Sequence, residues 1–363
     1  MSATRADGAK FWVGFHRVPY VGPSRIRRLI ERFGDLERAW DAPAGELRTV
    51  LDERAVESLV KTRQTLSLDD EMDKIERAGV TVLTHGGEGY PRLLAEIPAP
   101  PPVLYVKGEL LPEDGLAVAV VGARRLSSYG RDVGGRLAGE LAAAGVTIVS
   151  GLARGIDAVA HQAALRAGGR TVAVLGCGVN VVYPPEHRNL AGQIVENGAL
   201  VSDYPPDRKP DAPNFPARNR IISGLSLGVV VVEAPAKSGA LITVDFAADQ
   251  GRDVFVVPGN VLSSASAGCN RLLRDGARPV RDADDVLEDL NLGRRQEQQA
   301  VQQALPIAEE ERRLLALLTA DPQLIDELAA AANQPISQVG ALLLTMELKG
   351  LVRNAGAQHY ARV

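Results

Sequence analysis

Apolar, β-branched segments alternate with helical segments through the middle of this 363-residue sequence. The strand-like runs are nearly all apolar, and most are separated by stretches rich in alanine and leucine. They are Ala117–Val121, Val146–Val149, Thr171–Leu175, Leu227–Val232 and Val254–Val257. Continuous apolar strands that alternate with helices are typical of a parallel sheet covered on both faces. The sequence therefore predicts an α/β chain with a Rossmann-like parallel sheet as its core, over residues 76–290.

The N-terminal residues have a helical pattern. Apolar side chains recur there at helical spacing after Gly22-Pro23-Ser24, at Ile26, Leu29, Ile30 and Phe33. We therefore predict a small all-α domain over residues 1–75. Its segment Val18–Ile26 and five arginines between positions 17 and 32 leave two roles open, DNA contact and scaffold.

The C-terminal residues 309–363 predict a winged helix, because three helical segments precede a hairpin. Their apolar positions are Leu314, Leu315, Leu317 and Leu318, then Ile325, Leu328 and Ala329, then Val339, Leu342, Leu343, Met346 and Leu348. Asn354-Ala355-Gly356 is the predicted hairpin turn. Between Ile336 and Lys349 the one basic residue is Lys349, which disfavours sequence-specific reading of a major groove. Residues 291–308, which are rich in glutamine, are predicted to be a linker.

Composition limits the class of protein. Two cysteines and no Cys/His cluster exclude a disulfide framework and give no sign of zinc. The sequence shows neither a signal peptide nor an apolar run that could span a membrane, so we expect a cytoplasmic protein without membrane contact. The net charge is −4 and aromatic residues make up 4%, so any grip on nucleic acid should depend on local cations that contact phosphates.

Small and basic residues follow several of the predicted strands. In a parallel α/β sheet these strand ends form the ligand-binding edge. Glycine lets backbone N–H groups approach an anion, while hydroxyls, cations and helix N-termini complete an anion site. The residues concerned are Gly122, Arg124 and Ser127; Ser150, Gly151 and Arg154; Gly176-Cys177-Gly178; and Lys237, Ser238 and Gly239. The alternative for any one of these turns is that it serves packing alone.

A further basic element is Arg218-Asn219-Arg220 within Phe215–Ser226. These side chains could contact phosphate or sugar oxygens, or the arginines could pair with surface carboxylates at a helix N-terminus. Familiar nucleotide motifs are missing from the sequence. There is no GxxxxGK[ST], and Gly176-Cys177-Gly178 lacks the third glycine of GxGxxG. No Ser/His/Asp set or carboxylate pair stands out, so the sequence offers no catalytic residue and no cofactor or metal site.

Taken together, the core motifs resemble the DNA-processing protein A family (DprA/Smf). The matching strings, in the family's order, are VGARRLSSYG, SGLARGIDAVAHQAAL, TVAVLGCGVNVVYPPEHRNL, FPARNRIISGLS, VVVVEAPAKSGALITVDFAADQGRDVFVVPGN and GCNRLLRDGA. One departure is Ala123, where threonine or serine is common in the family. The N-terminal region resembles a SAM or helix-hairpin-helix element, and the C-terminal winged helix is found in many members.

The resemblance implies a protein without enzymatic activity that binds single-stranded DNA, protects it, and loads RecA during natural transformation. It places Arg124 and Lys237 on phosphates, with Ser150-Gly151 and Arg218-Asn219-Arg220 completing the pocket. It also implies a homodimer, for which Leu272 and Leu273 are the predicted contacts.

The rival hypothesis is a nucleotide phosphoribohydrolase of the same fold family. Those enzymes carry PGGxGTxxE with a functional glutamate, and no glutamate follows the turn at Lys237 here.

Overall fold

A computed structural model describes residues 3–293, 308–319, 322–349, 351–356 and 358–362. The chain divides by internal contacts into two compact units, Met1–Leu290 and Asn291–Val363. The first unit contains both the predicted helical domain and the predicted Rossmann-like domain. The domain boundaries at residues 75 and 308 stay predictions. The predicted linker lies mostly outside the described residues.

Helices form the N-terminal part of the first unit. They are α1 (Ala3–Arg17), α2 (Pro23–Phe33), α3 (Leu36–Asp41), α4 (Ala44–Leu47), α5 (Glu53–Thr65) and α6 (Leu68–Arg77). Side-chain oxygens of Asp35, Asp52 and Ser67 accept from backbone N–H groups at the starts of α3, α5 and α6. Phe15 packs edge-on against Trp40 with ring centroids 5.2 Å apart, in a core that also buries Leu29 and Leu59. The helical prediction for this region is confirmed.

A nine-stranded sheet follows, flanked by helices. Its strands are β1 (Thr81–Thr84), β2 (Val103–Gly108), β3 (Ala117–Val121), β4 (Thr147–Ser150), β5 (Thr171–Val174), β6 (Gly198–Ser202), β7 (Gly228–Val231), β8 (Asp253–Val256) and β9 (Arg278–Pro279). The helices are α7 (Arg92–Ala95), α8 (Ser128–Ala143), α9 (Ile156–Arg166), α10 (Arg188–Glu196), α11 (Asn214–Gly224), α12 (Ala240–Asp249), α13 (Ala267–Arg274) and α14 (Ala283–Asp289).

The strand order is β1-β2-β6-β5-β4-β3-β7-β8-β9. All neighbours from β6 to β9 are parallel, whereas β2 pairs antiparallel with both β6 and β1. All five predicted strands are present, and the Rossmann-like core is confirmed. Strands β1, β2, β6 and β9 were not predicted. Strand β6 contains glycine, alanine and serine, and β9 has two residues, so neither has the long β-branched run typical of a buried strand.

The order in which strands are added to the sheet reverses between β3 and β7, although the two strands are parallel. Strands β4, β5 and β6 lie on one side of β3, and β7, β8 and β9 lie on the other. The loops after β3 and β7 therefore leave the same edge of the sheet and diverge, which opens a crevice between them. Arg124 lies in the loop after β3, and Lys237 lies in the loop after β7.

The second unit is a winged helix, as predicted. Its elements are α15 (Glu309–Leu315), β10 (Gln323–Leu324), α16 (Ile325–Ala332), α17 (Ile336–Leu348), β11 (Val352–Gly356) and β12 (His359–Arg362), with strand order β10-β12-β11. The core contains Leu328, Val339 and Leu343. Leu317 and Leu318 differ from the helical prediction, because both lie beyond the end of α15; Leu317 is 36% exposed, whereas Leu318 is buried.

Lys349, at the end of α17, forms an interior ion pair. Its Nζ lies 2.6 Å from a carboxylate oxygen of Glu311, and the two side chains are 8% and 3% exposed. The one basic residue between Ile336 and Lys349 is therefore bound to a carboxylate inside the unit. That the winged helix does not read a major groove stays a prediction.

Candidate functional site

Three strand ends meet at Ala123. Its N–H donates to the Glu233 carbonyl after β7 at 2.6 Å, and its carbonyl accepts from the N–H of Ile156, the first residue of α9, at 3.2 Å. Gly155 makes this close approach possible. It has φ 87°, and a Cβ there would lie 2.1 Å from the Ala123 carbonyl oxygen. The loops after β3, β4 and β7 are thus fixed to one another.

A pocket of about 400 Å³ opens at this edge, and both Arg124 and Lys237 line it. Both side chains are exposed, and within the described part of the chain neither forms a hydrogen bond or an ion pair. Arg125 and Arg218 also line the pocket, where Asp157 is the only acidic side chain of the lining. The lining therefore holds more positive than negative charge.

Arg218 forms the buried base of the pocket. The residue is 4% exposed, and its Nη1 donates to the Gly151 carbonyl at 2.8 Å. Its Nε is buried without a hydrogen-bond partner. Burial lowers the pKa of the Arg218 guanidinium, and the neighbouring Asp157 carboxylate opposes that shift. The Arg218 guanidinium is thus held in place while its Nε–H remains a donor without an acceptor.

Asp157 holds the loop after β4. Its Oδ2 accepts from the backbone N–H of Gly151 at 3.2 Å and of Ala153 at 3.3 Å. Burial raises the pKa of this carboxyl, and the positive charge of Arg218 opposes the rise. A Cβ at Gly151 would lie 2.6 Å from Arg218 Nη2 and 2.7 Å from Asp157 Oδ2, so only glycine fits between them.

Apolar side chains cover part of the pocket wall. Phe215 and Ile222 of α11 and Ile242 of α12 contribute to it. A Cβ at Gly176 would lie 3.0 Å from the Phe215 ring, so this glycine lets the ring pack against the end of β5. The Gly176 turn, which the sequence grouped with possible anion turns, has a packing reason instead. Phe215 begins the segment Phe215–Ser226 that contains Arg218. This position beside the basic residues is the sequence feature that could have identified Phe215 as part of the site.

The remaining predicted residues of the lining are Gly122, Asn219, Ser238 and Gly239. Asn219 donates from Nδ2 to the Gly239 carbonyl at 3.3 Å, and Ser238 Oγ accepts from the Ala240 N–H at 3.3 Å. These contacts join α11 to the start of α12. The N-terminus of α12 therefore faces the pocket, with its partial positive charge beside Lys237.

Five predicted residues lie outside the lining: Ser127, Ser150, Gly151, Arg154 and Arg220. Ser150 is fully buried and donates to the Val120 carbonyl at 2.6 Å. Arg154 pairs with Glu186 on the surface. Arg220 pairs with Asp203 at 2.7 Å and lines a separate cavity of about 980 Å³ that also contacts Arg17 and Gly22. Arg218 and Arg220 thus face different cavities, although the sequence grouped them together.

Ser127 caps α8 and binds a carboxylate. Its Oγ donates to Glu233 Oε1 at 2.7 Å and accepts from the Gly130 N–H at 3.1 Å. Its own N–H donates to Glu233 Oε2 at 2.9 Å. The hydroxyl predicted to touch a phosphate therefore joins the loops that follow β3 and β7.

The described residues contain neither a metal-binding cluster nor a membrane-spanning helix. No group of three or more His, Cys, Asp and Glu side chains there could hold a metal ion. No helix among them is long and apolar enough to cross a membrane.

Sequence comparison assigns the family. Residues 81–291, which include the whole pocket, match the family described as DNA recombination-mediator protein A. The chain belongs to the DprA/Smf family. Residues 298–357 match the DprA winged helix domain. Protein Smf of Synechocystis sp. is 36% identical to this DprA/Smf chain, over 97% of the chain and 98% of the relative.

Solved DprA structures are similar to this chain as well. DNA processing protein A of Streptococcus pneumoniae is 34% identical, with a TM-score of 0.68 over 77% of this chain and 97% of that one. DNA processing protein A of Helicobacter pylori, whose structure concerns its single-stranded DNA binding mode, is 31% identical. Its TM-score is 0.53, over 59% of this chain and 96% of that one.

The two leucines predicted to form a dimer contact differ in position on α13. Leu272 is 9% exposed and belongs to the core beneath the sheet. Leu273 is half-buried and packs at the edge of the same core. Of the two, only Leu273 keeps appreciable surface for a partner.

Proposed function

We propose that this DprA/Smf protein binds single-stranded DNA in the pocket between the loops after β3 and β7, with Arg124 and Lys237 on phosphates. The observation that carries the proposal is that two exposed cations, without partners among the described residues, share one pocket above the buried Arg218. Cations and a helix N-terminus around one cavity suit an anionic ligand. The structure of the similar Helicobacter pylori protein concerns single-stranded DNA, which supports the same ligand here.

We expect single strands to be preferred to duplex. A cavity of about 400 Å³ suits one small organic group, and a single strand can turn a phosphate and its attached nucleoside into it. Paired and stacked bases in a duplex do not have that freedom. We expect Arg124 and Lys237 to contact phosphates, which carry no sequence information, so we expect little sequence preference.

The test is a titration of single-stranded and duplex oligonucleotides over a salt series. Single-strand affinity should exceed duplex affinity and fall with salt, with a log–log slope of about −0.7 for each neutralised phosphate. Equal affinity for both forms, or a complex insensitive to salt, would contradict the proposal.

The enzymatic alternative has less support. Asp157 is the one acid of the pocket lining, and its carboxylate is already bound to backbone N–H groups beside Arg218. Glycosidic cleavage needs a carboxylate that can stabilise developing positive charge or activate water. Release of a nucleobase from nucleoside monophosphates by the purified protein, lost in Asp157→Asn, would favour the phosphoribohydrolase alternative.

We further propose that the protein is a homodimer that protects the bound strand and loads a RecA-type recombinase onto it. A grip based on phosphates leaves bases accessible for pairing, and a dimer would hold two strands. A mediator should shorten the lag before recombinase ATP hydrolysis on DNA that is already coated with single-strand-binding protein. An unchanged or longer lag, from protein shown to bind that strand, would contradict the loading role.

A further inference from the structure

A second basic surface lies on the outer side of α8 and α9. It is a groove of about 380 Å³, and its lining includes Arg131, Asp132, Gly135, Arg136, Gln162 and Arg166. All three arginines are exposed. Asp132 supplies the only carboxylate of the lining. None of these side chains belongs to the pocket that holds Arg124 and Lys237.

The arginines of the groove keep their charge available. The side chains of Arg131 and Arg166 form no hydrogen bond or ion pair with the residues that the structure describes. Arg136 reaches Glu140 only at 3.9 Å, and its Nη2 donates to the Arg281 carbonyl at 2.7 Å. Exposed arginines without strong partners retain the geometry that binds phosphate oxygens in a bidentate manner.

The groove has open space at its base because two glycines of α8 face α9. The Cβ position of Gly135 lies 3.5 Å from Val159 Cγ1, and that of Gly139, one turn further along α8, lies 3.9 Å from the Ala163 Cβ. The two helices therefore pack closely, and no large side chain from these positions fills the space between the arginines. An extended chain could lie there.

The two helices of the groove begin beside the loop that carries Arg124. Helix α8 starts at Ser128, three residues after Arg125, and a Cβ at Gly155 before α9 would lie 2.7 Å from the Arg124 Cα. Both helices then run back along the sheet from its ligand-binding edge. At 1.5 Å per residue, Arg136 lies about 12 Å along α8 from its first residue. The groove thus lies along two helices that both begin at the sheet edge where the pocket opens.

We infer that single-stranded DNA leaving the pocket continues along the α8–α9 groove, with its phosphates on Arg131, Arg136 and Arg166. The inference rests on the proposed function of the pocket and adds a path and a direction. A single strand suits the groove because its backbone can bend from the sheet edge onto the side of the two helices. Contacts of this kind depend on phosphate charge and carry no base preference.

The test compares fluorescence anisotropy for labelled oligothymidylates of about 6 and about 20 nucleotides, lengths on either side of a one-pocket site. In the full-length protein, Arg131→Ala/Arg166→Ala should weaken binding of the longer strand about tenfold and reduce its salt slope by about 1.4. The shorter strand should bind as it does to the unchanged protein. Arg131→Lys/Arg166→Lys should keep most of the slope.

The matched control is Lys61→Ala/Arg77→Ala, which removes two exposed cations from α5 and α6, outside both cavities. If the unchanged protein binds neither strand, the proposed function fails. If it binds both and the groove variant behaves like the control, the groove inference fails alone. Equal losses on both strands would assign the two arginines to the pocket and overturn the inference. Normal DNA binding with lost recombinase stimulation would assign the groove to a protein partner and overturn it too.

Discussion

The hydroxyl of Ser127 donates a 2.7 Å hydrogen bond to Glu233, and this bond joins the two loops that carry Arg124 and Lys237. Ser127 follows β3 and Glu233 follows β7, the two parallel strands between which the strand order reverses. A carboxylate that is 3% exposed needs such partners, because an unpaired buried charge is costly. The pocket therefore depends on a polar contact that the bound strand would never touch.

Ser127→Ala should lower the free energy of unfolding by about 2 kcal/mol, since it removes both a helix cap and a hydrogen bond to a carboxylate. Urea denaturation measures the change. Ser128→Ala is the matched control, because its exposed side chain makes no hydrogen bond with the described residues. DNA affinity should fall less than in Arg124→Ala. A loss of affinity at unchanged stability would instead indicate a direct phosphate contact.

Arg124→Ala and Lys237→Ala should each weaken single-strand binding by about 1–3 kcal/mol, the range of a charge-assisted hydrogen bond to an anion. Thermal unfolding should be unchanged, because neither side chain has an intramolecular partner among the described residues. Lys61→Ala removes an exposed cation elsewhere and serves as the control. Normal DNA binding by either folded variant would contradict the assignment of the pocket.

Acid should destabilise the first unit through His161. Thr171 Oγ1 donates to the Ile148 carbonyl, so it can only accept from His161 Nδ1, at 2.6 Å, which leaves the buried Nε2 as the unprotonated nitrogen. Burial lowers the pKa of His161 to about 3. At pH values between about 3 and 6.5, His161 is protonated in the unfolded chain and neutral in the folded chain.

Stability from this histidine is therefore complete above pH ~6.5 and falls as the pH drops, by about 2 kcal/mol at pH 5. Comparison of Tm at pH 7 and pH 5 measures the loss. His161→Gln should show a smaller difference between the two pH values, whereas the control His85→Gln should match the unchanged protein. An identical pH dependence in all three would exclude this origin.

The two leucines of α13 should respond differently to a charge. Leu273→Glu places a carboxylate in the proposed dimer contact and should give a folded monomer by light scattering. Leu272→Glu puts the same charge into the core and should destabilise the fold, because Leu272 is 9% exposed there. A Leu273→Glu protein that remains dimeric would place the contact elsewhere.

Apolar periodicity predicted the core strands because burial on both faces of a parallel sheet demands apolar residues at every position. Strand β2 obeys the same rule, since Val103–Val106 are all buried, although its apolar run was not identified as a strand. Strand β6 is also fully buried, but its glycine and serine have weak strand preference. The winged helix was predictable from the order of its elements. Arg124 and Lys237 could be predicted to share a pocket because parallel strands place their carboxyl ends at one edge.

Side-chain partners were less predictable. Ser127 binds Glu233, which lies 106 residues away in sequence, so no local pattern could indicate that its hydroxyl is occupied. Arg218 and Arg220 are two residues apart on α11, and they consequently point to different cavities. Ser150 ends a buried strand, and its side chain lies within the sheet. The partners of these four side chains depend on the direction in which each side chain points in the folded protein. A sequence motif does not specify that direction.

The two borders of the nine-stranded sheet restrict how copies of this protein can aggregate. An unprotected border strand offers a row of N–H and C=O groups to which another chain can add. At one border β9 has two residues, and Pro279 supplies no N–H. At the other, β1 is four residues long. Neither offers a long template for strand addition, so the sheet is poorly suited to seed fibrils through its margins. Association of folded copies should instead involve side chains on the helices, with a defined stoichiometry.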